Sequence, residues 1–510
     1  ISIAHCISII LHIFIHIYDN RKKGRREEVL IKYLVKQTME LMFNPFPSIS
    51  HLIPMVELAK LLTERDDRLV IKIFIMKQSS DSKVSAYIES LNSSSISNRI
   101  KFIDLPAEDE PTTSFNSFSF LESQKPLLKD VLSKLTLAES SSNTSQVAAF
   151  VLDMFCTPMI DVANEFGIPT YIYYTSSANA LGFTFYFQTL HDEHNQDILA
   201  YKDSDTELVV PSFVNKVPAK VLPSGLLVNP FFFFINQARR FKETKGIIIN
   251  TFMELEPFAI NSFSNGKTPL VYPVGPIMNL KGENHEIQKP QNGFDVMKWL
   301  DDQPLSSVVF LCFGSMGSFE KDQVKEIAYA LEHSGCRFLW SLRKPPPSGG
   351  IASPSDYTNL EEILPQGFIN RTQGTGNVIG WAPQVAILAH SAIGGFVSHC
   401  GWNSTLESLW FGVPFAAWPI YAEQQINAFE MVKELRLAVE VKMDYSKSKQ
   451  IIVTAMEIER GIREVMDPNS EIRKNVKEIK EKGRKALMDG GSSHSSLDRL
   501  IVDLMGNIVH

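Results

Sequence analysis

Short apolar runs rich in β-branched and aromatic residues alternate with stretches of helical period along almost the entire chain. ELMFN (40–44) gives way to HLIPMVELAKLL (51–62), with apolar residues near i, i+3, i+4 and i+7, and then to LVIKIFIM (69–76). The pattern resumes at AAFVLDMF (148–155), PTYIYYTS (169–176), GIIINTF (246–252) and VYPVGP (271–276). Strands this continuously apolar belong to a parallel sheet covered by helices on both faces. After a polar, Pro-, Gly- and Asn-rich stretch (275–294) a second series follows: SVVFLCFGS (307–315), RFLWSLR (337–343), NVIGW (377–381), GGFVSHCG (394–401), PFAAWPI (414–420) and AVEVK (438–442). The expectation is an α/β protein of two Rossmann-like, doubly wound parallel-sheet domains facing each other across a cleft.

Composition removes several function classes. With 510 residues, 44% hydrophobic and 21% charged, the chain is an ordinary globular protein of two to three domains. Its net charge of −7 offers no basic field for a nucleic acid. Five scattered cysteines, Cys6, Cys156, Cys312, Cys336 and Cys400, lack metal-ligand spacing and read as reduced core thiols. Residues 1–18 form an apolar run followed by a basic cluster at 21–26. Without a preceding positive region, and holding three histidines, it is a poor signal sequence. Residues 1–38 are therefore expected to be translated upstream sequence or a gene-model artefact, with a genuine anchor as the alternative. No other stretch is apolar for long enough to span a bilayer, so no stable membrane association is expected.

The most informative segment runs from Trp381 to Gln424, WAPQVAILAHSAIGGFVSHCGWNSTLESLWFGVPFAAWPIYAEQ. A strand is expected to end at His399 and a helix to begin near Asn403 to Thr405, with Gly401 permitting close backbone approach. A helix N-terminus at a strand's carboxyl end is an anion site. His399 would add a donor to a diphosphate, Glu407 one turn along would reach a ribose diol, and Trp381 would offer a flat face to a base. Taken singly, each has an ordinary structural role: core tryptophan, helix caps, solvated glutamate.

This 44-residue segment resembles the signature box of plant family-1 UDP-glycosyltransferases, with HCGWNS inside it and Glu-Gln at its end. Similarity extends over nearly all of residues 39–505. VLDMFC, FKETKGIIINTFMELEP, VYPVGPI and GGSSHSSL resemble the branch containing flavonol and other phenolic glucosyltransferases. The resemblance implies the GT-B fold. It divides the chain into an acceptor-binding domain (39–276), a linker (277–293), a UDP-sugar-binding domain (294–484) and a C-terminal helix packing back on the first domain (485–510). It also implies that Trp381, Ala382 and Glu407 hold the uridine, that Ser315, His399, Asn403 and Ser404 hold the diphosphate, that Gln384 and Gly401 belong to the same UDP site, and that Thr175, Trp402, Glu423 and Gln424 hold the sugar. Gln424 with Trp402 goes with glucose in this family, so UDP-glucose is the expected co-substrate, with no cofactor and no metal.

By the same resemblance, His51 in NPFPSISHL matches the catalytic base and Asp153 in VLDMFC its partner. Read alone, a histidine after a proline turn is as readily a cap or core residue, and a strand-end aspartate a helix cap. The chemistry explains the pairing. Imidazole takes a proton near neutrality, and a carboxylate on its other nitrogen fixes the tautomer and stabilises the imidazolium. In-line displacement of UDP by a small hydrophobic hydroxylated acceptor, such as a flavonol or other phenolic, would then give a β-glucoside.

The family often has Gly where this chain has Ser48 and Ser50, which leaves a second reading open: a nucleotide-sugar-binding protein that does not catalyse transfer. GTGNVIG (374–380) precedes a strand instead of following one, so it does not read as a dinucleotide fingerprint. Sequons occur at Asn92, Asn143, Asn370 and Asn403. Glycosylation at Asn403 would block the inferred phosphate site, which favours a cytoplasmic protein. A monomer is expected.

Overall fold

A computed structural model describes residues 38–507 apart from 77–81, 94–97, 107–116, 141–144, 203, 224–225, 227–233, 281–294, 347–352 and 446–450. The N-terminal extension and most of the expected linker thus lie outside the described residues. So do residues 114–116 of the aromatic segment SFNSFSF (114–120), 231–233 of FFFF (231–234) and 347–352 of the Pro-, Gly- and Ser-rich stretch 344–359.

Seven strands form the first sheet: β1 (Thr38–Asn44), β2 (Leu69–Ile75), β3 (Ile100–Asp104), β4 (Ser145–Asp153), β5 (Thr170–Tyr174), β6 (Gly246–Ile249) and β7 (Leu270–Pro273). Six form the second: β8 (Val308–Cys312), β9 (Arg337–Ser341), β10 (Gly376–Ile379), β11 (Ile393–Ser398), β12 (Phe415–Ala417) and β13 (Ala438–Glu440). The orders are β3-β2-β1-β4-β5-β6-β7 and β10-β9-β8-β11-β12-β13, and every neighbouring pair is parallel. The order reverses between β1 and β4 in one sheet and between β8 and β11 in the other. Helices leave to opposite faces at such a switch point, opening a crevice beyond the strands' carboxyl ends.

The helices that matter to the site are α1 (Ile49–Arg65), α2 (Ala178–Asp192), α3 (Gln384–Ala389), α4 (Trp402–Phe411), α5 (Gln424–Phe429), α6 (Glu471–Leu487) and α7 (Ser492–Gly506). Central strands are buried throughout, as in β5 and β8, which is why their sequences read as unbroken apolar runs. β3 was not among the runs read from the sequence. IKFID sits at the sheet's edge, where Lys101 and Asp104 are exposed, and its pattern is too polar to resemble the central strands.

The basic stretch after Lys474 is amphipathic, as its sequence suggests. α6 buries Val476, Ile479, Gly483 and Ala486, packs on the second lobe's α4 and leaves most of its charges in water. The chain then returns to the first lobe. α7 buries Leu497, Leu500, Ile501 and Leu504, at i, i+3, i+4 and i+7, in the same core as Leu52, Val56, Tyr171 and Tyr272. Arg65 on α1 donates to both carboxylate oxygens of Asp498 at 2.8 and 2.9 Å, which fixes the register of the two helices. Near the start of the expected linker the chain is pinned: Ile277 N–H donates to Asn250 Oδ1 at 2.7 Å and Asn250 Nδ2 donates back to Ile277 O at 3.0 Å.

Leu500 is fully buried, so Leu500→Ala should destabilise the protein by about 3 kcal/mol in a urea titration. A loss below about 1 kcal/mol would show that α7 is not part of the first lobe's core.

Candidate active site

On the first lobe, β1 runs into the NPFPSIS turn and α1, and His51 lies in the first turn of that helix. Ser48 caps α1 with extended backbone, φ −146° and ψ 148°, so the serine in place of the family's glycine is under no strain. Its hydroxyl lies 2.9 Å from that of Ser50. His51 Nδ1 meets Asp153 Oδ2 at 2.7 Å, although the residues are 102 positions apart. Asp153 ends β4, the strand beside β1 at the switch point, and is fully buried. Its second oxygen accepts from Phe155 N–H at 2.9 Å. A carboxylate on Nδ1 selects the tautomer that leaves Nε2 as the basic nitrogen. Burial lowers the His51 pKa, but the charge and hydrogen bond of Asp153, with the more distant charge of Glu423, outweigh it and the net shift is upward. Phe46 and Phe155 wall the imidazole at centroid distances of 5.6 and 5.1 Å.

On the second lobe, β11 ends at Ser398 and α4 starts at Trp402, one to three residues earlier than expected from the sequence. His399 stands in the crevice between β8 and β11. A Cβ at either Gly314 or Gly401 would fall 2.5 Å from His399 Nε2, so both positions exclude a side chain while this ring is in place. Desolvation lowers the His399 pKa to about 4, and Nδ1 is buried with no hydrogen-bond partner. A neutral, unpartnered donor beside α4 suits an anionic ligand. α4 has no side-chain cap at its N-terminus, where Gly401 precedes the first turn, so that turn's N–H groups are open to an acceptor. Ser315 lies in the loop after β8 and is half-buried.

Gln384 on α3 ties a diphosphate candidate to a uridine candidate, donating to Ser404 Oγ at 2.8 Å and to Glu407 Oε2 at 2.7 Å. Burial raises the Glu407 pKa to about 7, against the opposing hydrogen bond from Gln384. Arg343 lies over the Trp381 ring, 5.3 Å from its centroid, and pairs with Asp356 at 2.9 Å. Ala382 is buried immediately after Trp381.

The lobes meet through these same loops. Asn403 Nδ2 donates to Ser50 O at 3.2 Å, joining the head of α4 to the turn before His51. Ser176 Oγ donates to Glu423 Oε1 at 3.2 Å, next to Thr175, whose hydroxyl lies 3.7 Å from Met154 Sδ. The Gln424 carbonyl accepts from Ile420 and Tyr421 N–H at 2.9 and 3.0 Å, so only its amide end is left for a sugar. Trp402 differs from its neighbours: its ring is buried and its indole N–H donates to Asn250 O in the first lobe at 2.7 Å.

Several site neighbours went unnoticed in the sequence: Ser176, Phe155, Arg343 and Asn250 at the surfaces just described, and Glu256 and Glu430 behind them. The last two are fully buried carboxyls from opposite lobes. Burial first, and then the charge of Glu256, raises the Glu430 pKa well above the carboxylate range. Ser176, Phe155, Arg343, Asn250 and Glu256 stand inside runs quoted above, and Glu430 lies outside them; what each one touches becomes visible only when distant segments are brought together.

Two parallel sheets whose switch-point loops touch across a cleft, one presenting a His–Asp pair and the other an anion-ready helix head, have the GT-B arrangement. The profile of the family described as "UDP-glucoronosyl and UDP-glucosyl transferase" matches residues 263–479. UDP-glucose flavonoid 3-O-glucosyltransferase 6 of Fragaria ananassa is 55% identical over 476 residues, covering 92% of this chain and 99% of that protein. Anthocyanidin 3-O-glucosyltransferase 6 of Manihot esculenta is 58% identical over 397 residues, covering 77% and 99%. Among solved structures, a UGT from Siraitia grosvenorii in complex with UDP superposes with a TM-score of 0.83 at 47% identity, covering 92% of this chain and 100% of that one. One from Medicago truncatula complexed with UDP-glucose gives 0.80 at 42%, covering 92% and 98%. The chain belongs to the plant family-1 UDP-glycosyltransferases and is a glycosyltransferase enzyme.

Gly314→Ala should weaken UDP binding, measured calorimetrically, by at least about ten-fold, because the added methyl displaces His399. Binding within about two-fold of the unsubstituted protein would show that His399 does not need its present position.

Proposed function

We propose that this enzyme is an inverting O-glucosyltransferase. It moves glucose from UDP-glucose to a hydroxyl of a flavonoid or related small phenolic and releases a β-glucoside and UDP. The observation that carries this reading is His51 paired with Asp153 in the first lobe, close enough to Glu423 of the second lobe for that charge to act on the imidazole. The acceptor class is drawn from the activities named for the strawberry and cassava relatives.

In this reading Trp381 stacks on uracil, Ala382 bonds it through its backbone, and Glu407 with Gln384 takes the ribose hydroxyls. Ser315, His399, Asn403, Ser404 and the Gly401 backbone hold the diphosphate. Thr175, Glu423 and the Gln424 amide address the sugar. Trp402 has its indole N–H committed to Asn250, so it serves the sugar only through its place at the head of α4. His51 Nε2 takes the acceptor proton as the acceptor oxygen attacks the anomeric carbon. A phenol resembles the tyrosine hydroxyl, with an ordinary pKa of about 10, so a base whose pKa is raised is better matched to it. Asp153 stabilises the imidazolium that forms. Charge growing on the departing UDP is met by the N-terminus of α4 and by His399, so the reaction runs without a divalent cation. Among the described residues no group of histidine, cysteine, aspartate or glutamate is arranged to hold a metal ion, and no helix is long and apolar enough to cross a membrane. The enzyme acts as a monomer in the cytoplasm.

The deciding experiment compares the intact enzyme with His51→Ala, using UDP-glucose and a panel of flavonols. The intact enzyme should release UDP and form a product whose anomeric proton signal is that of a β-glucoside. His51→Ala should lose at least about a thousand-fold in turnover while keeping its affinity for UDP. An intact protein that binds UDP yet transfers to no acceptor would instead establish the non-catalytic binding reading, and an α-linked product would overturn inversion.

A further inference from the structure

The turn joining β11 to α4 contains a backbone conformation that the donor site alone does not account for. Cys400 lies at φ 62°, a region an L-residue enters only at a cost. Such a conformation persists when its surroundings hold it in place. Cys400 is fully buried, and its N–H donates to Ser398 Oγ at 3.1 Å. Its carbonyl accepts from Asn427 Nδ2 at 3.1 Å.

Asn427 lies on α5, is fully buried, and uses both ends of its carboxamide. Oδ1 accepts from Ser177 Oγ of the other lobe at 3.1 Å. Ser177 is the N-cap of α2, and the same hydroxyl oxygen accepts from Ala180 N–H at 3.0 Å. The orientation of the amide is fixed by its partners: a flipped Asn427 would set its oxygen against the Cys400 carbonyl, two acceptors face to face. A continuous polar relay therefore runs from the start of α2 in the first lobe, through Asn427, to the Cys400 carbonyl in the second.

The relay has a consequence at the diphosphate site. In a trans peptide the C=O of one residue and the N–H of the next point in opposite directions. Holding the Cys400 carbonyl against Asn427 turns the Gly401 N–H away from α5, at the head of α4 and beside His399. Fixing one amide plane in this way sets a donor where the departing UDP must be held.

We propose that Asn427 is a positioning residue for the transfer reaction. It holds the Cys400–Gly401 peptide in its donor orientation and, through Ser177, couples that orientation to the seating of the first lobe. The proposal rests on the assignment of this turn to the diphosphate of UDP-glucose made above.

The test uses the full-length enzyme. UDP alone is titrated calorimetrically, and kcat and KM for UDP-glucose are measured in Asn427→Ala, Ser177→Ala, Cys400→Gly and the two double variants with Cys400→Gly. Asn427→Ala should weaken UDP binding by about ten-fold and lower kcat by more than it raises KM. Glycine at 400 adopts φ 62° without strain. Relative to Cys400→Gly alone, the double variant with Asn427→Ala should therefore show a smaller loss of UDP affinity than Asn427→Ala shows relative to the unsubstituted enzyme. Ser177→Ala should lower kcat with a smaller effect on UDP affinity. If Asn427→Ala does not fold, Ser177→Ala with and without Cys400→Gly carries the same comparison.

UDP affinity and kcat/KM within about two-fold of the unsubstituted enzyme in folded Asn427→Ala would overturn the proposal. So would an equal loss in the Cys400→Gly background, since Asn427 would then be acting by packing alone. An unsubstituted protein that binds UDP but transfers nothing would overturn the proposed function, and the UDP titrations would still decide the role of Asn427.

Discussion

A parallel sheet concentrates chemistry at one place, the carboxyl edge where its strand order reverses. This chain has two such places, and contacts between their loops bring them together. The β1–β4 reversal fixes His51 and Asp153, and the β8–β11 reversal fixes His399 and the head of α4. Bonds from Asn403 to Ser50 and from Ser176 to Glu423 then hold the lobes loop to loop. Other features of the site depend on that registry. The Trp402 indole reaches Asn250, and Asn427 reaches Ser177, only because the lobes meet along these edges.

The two histidines show how environment divides labour between identical side chains. His51 is half-buried beside a carboxylate, so the penalty of desolvation is overcome and its protonated form is favoured. His399 is buried without a charged partner, and desolvation alone pushes its pKa to about 4. The first is suited to accept a proton and keep it through the displacement. The second stays neutral near neutrality, able to donate a hydrogen bond to an anion without demanding a counter-charge when the site is empty. Glu407, raised to about 7 by burial, is likewise poised for a partner that restores its solvation, as a ribose diol would.

The sequence was legible where pattern and function coincide. Unbroken apolar runs marked the central strands, and the Trp381–Gln424 segment stood out through its resemblance to a family signature, with an anion site suggested by the strand-turn-helix unit inside it. β3 was lost because an edge strand need not be apolar on both faces, and IKFID carries Lys101 and Asp104 into solvent. Ser48 and Ser50 raised a question that only backbone geometry answers, since extended φ at Ser48 removes any need for glycine. Nothing in the local sequence around Asn250, Asn427, Glu256 and Glu430 tells what they touch. Each has a partner more than a hundred residues away in the other lobe, and only the way the lobes dock makes them meaningful.

The central claim is that imidazole 51 is the base and that carboxylate 153 sets its strength. The most direct measurement is the pH dependence of kcat/KM for the acceptor, in the unsubstituted enzyme and in Asp153→Asn. The claim predicts a rate that rises with pH through a single limb centred above the ordinary imidazole value of 6.5. In Asp153→Asn that limb should move to lower pH, because burial then acts unopposed by the neighbouring charge, while the plateau falls. A limb unmoved by the substitution, or a rate in the unsubstituted enzyme that does not depend on pH in this region, would contradict it.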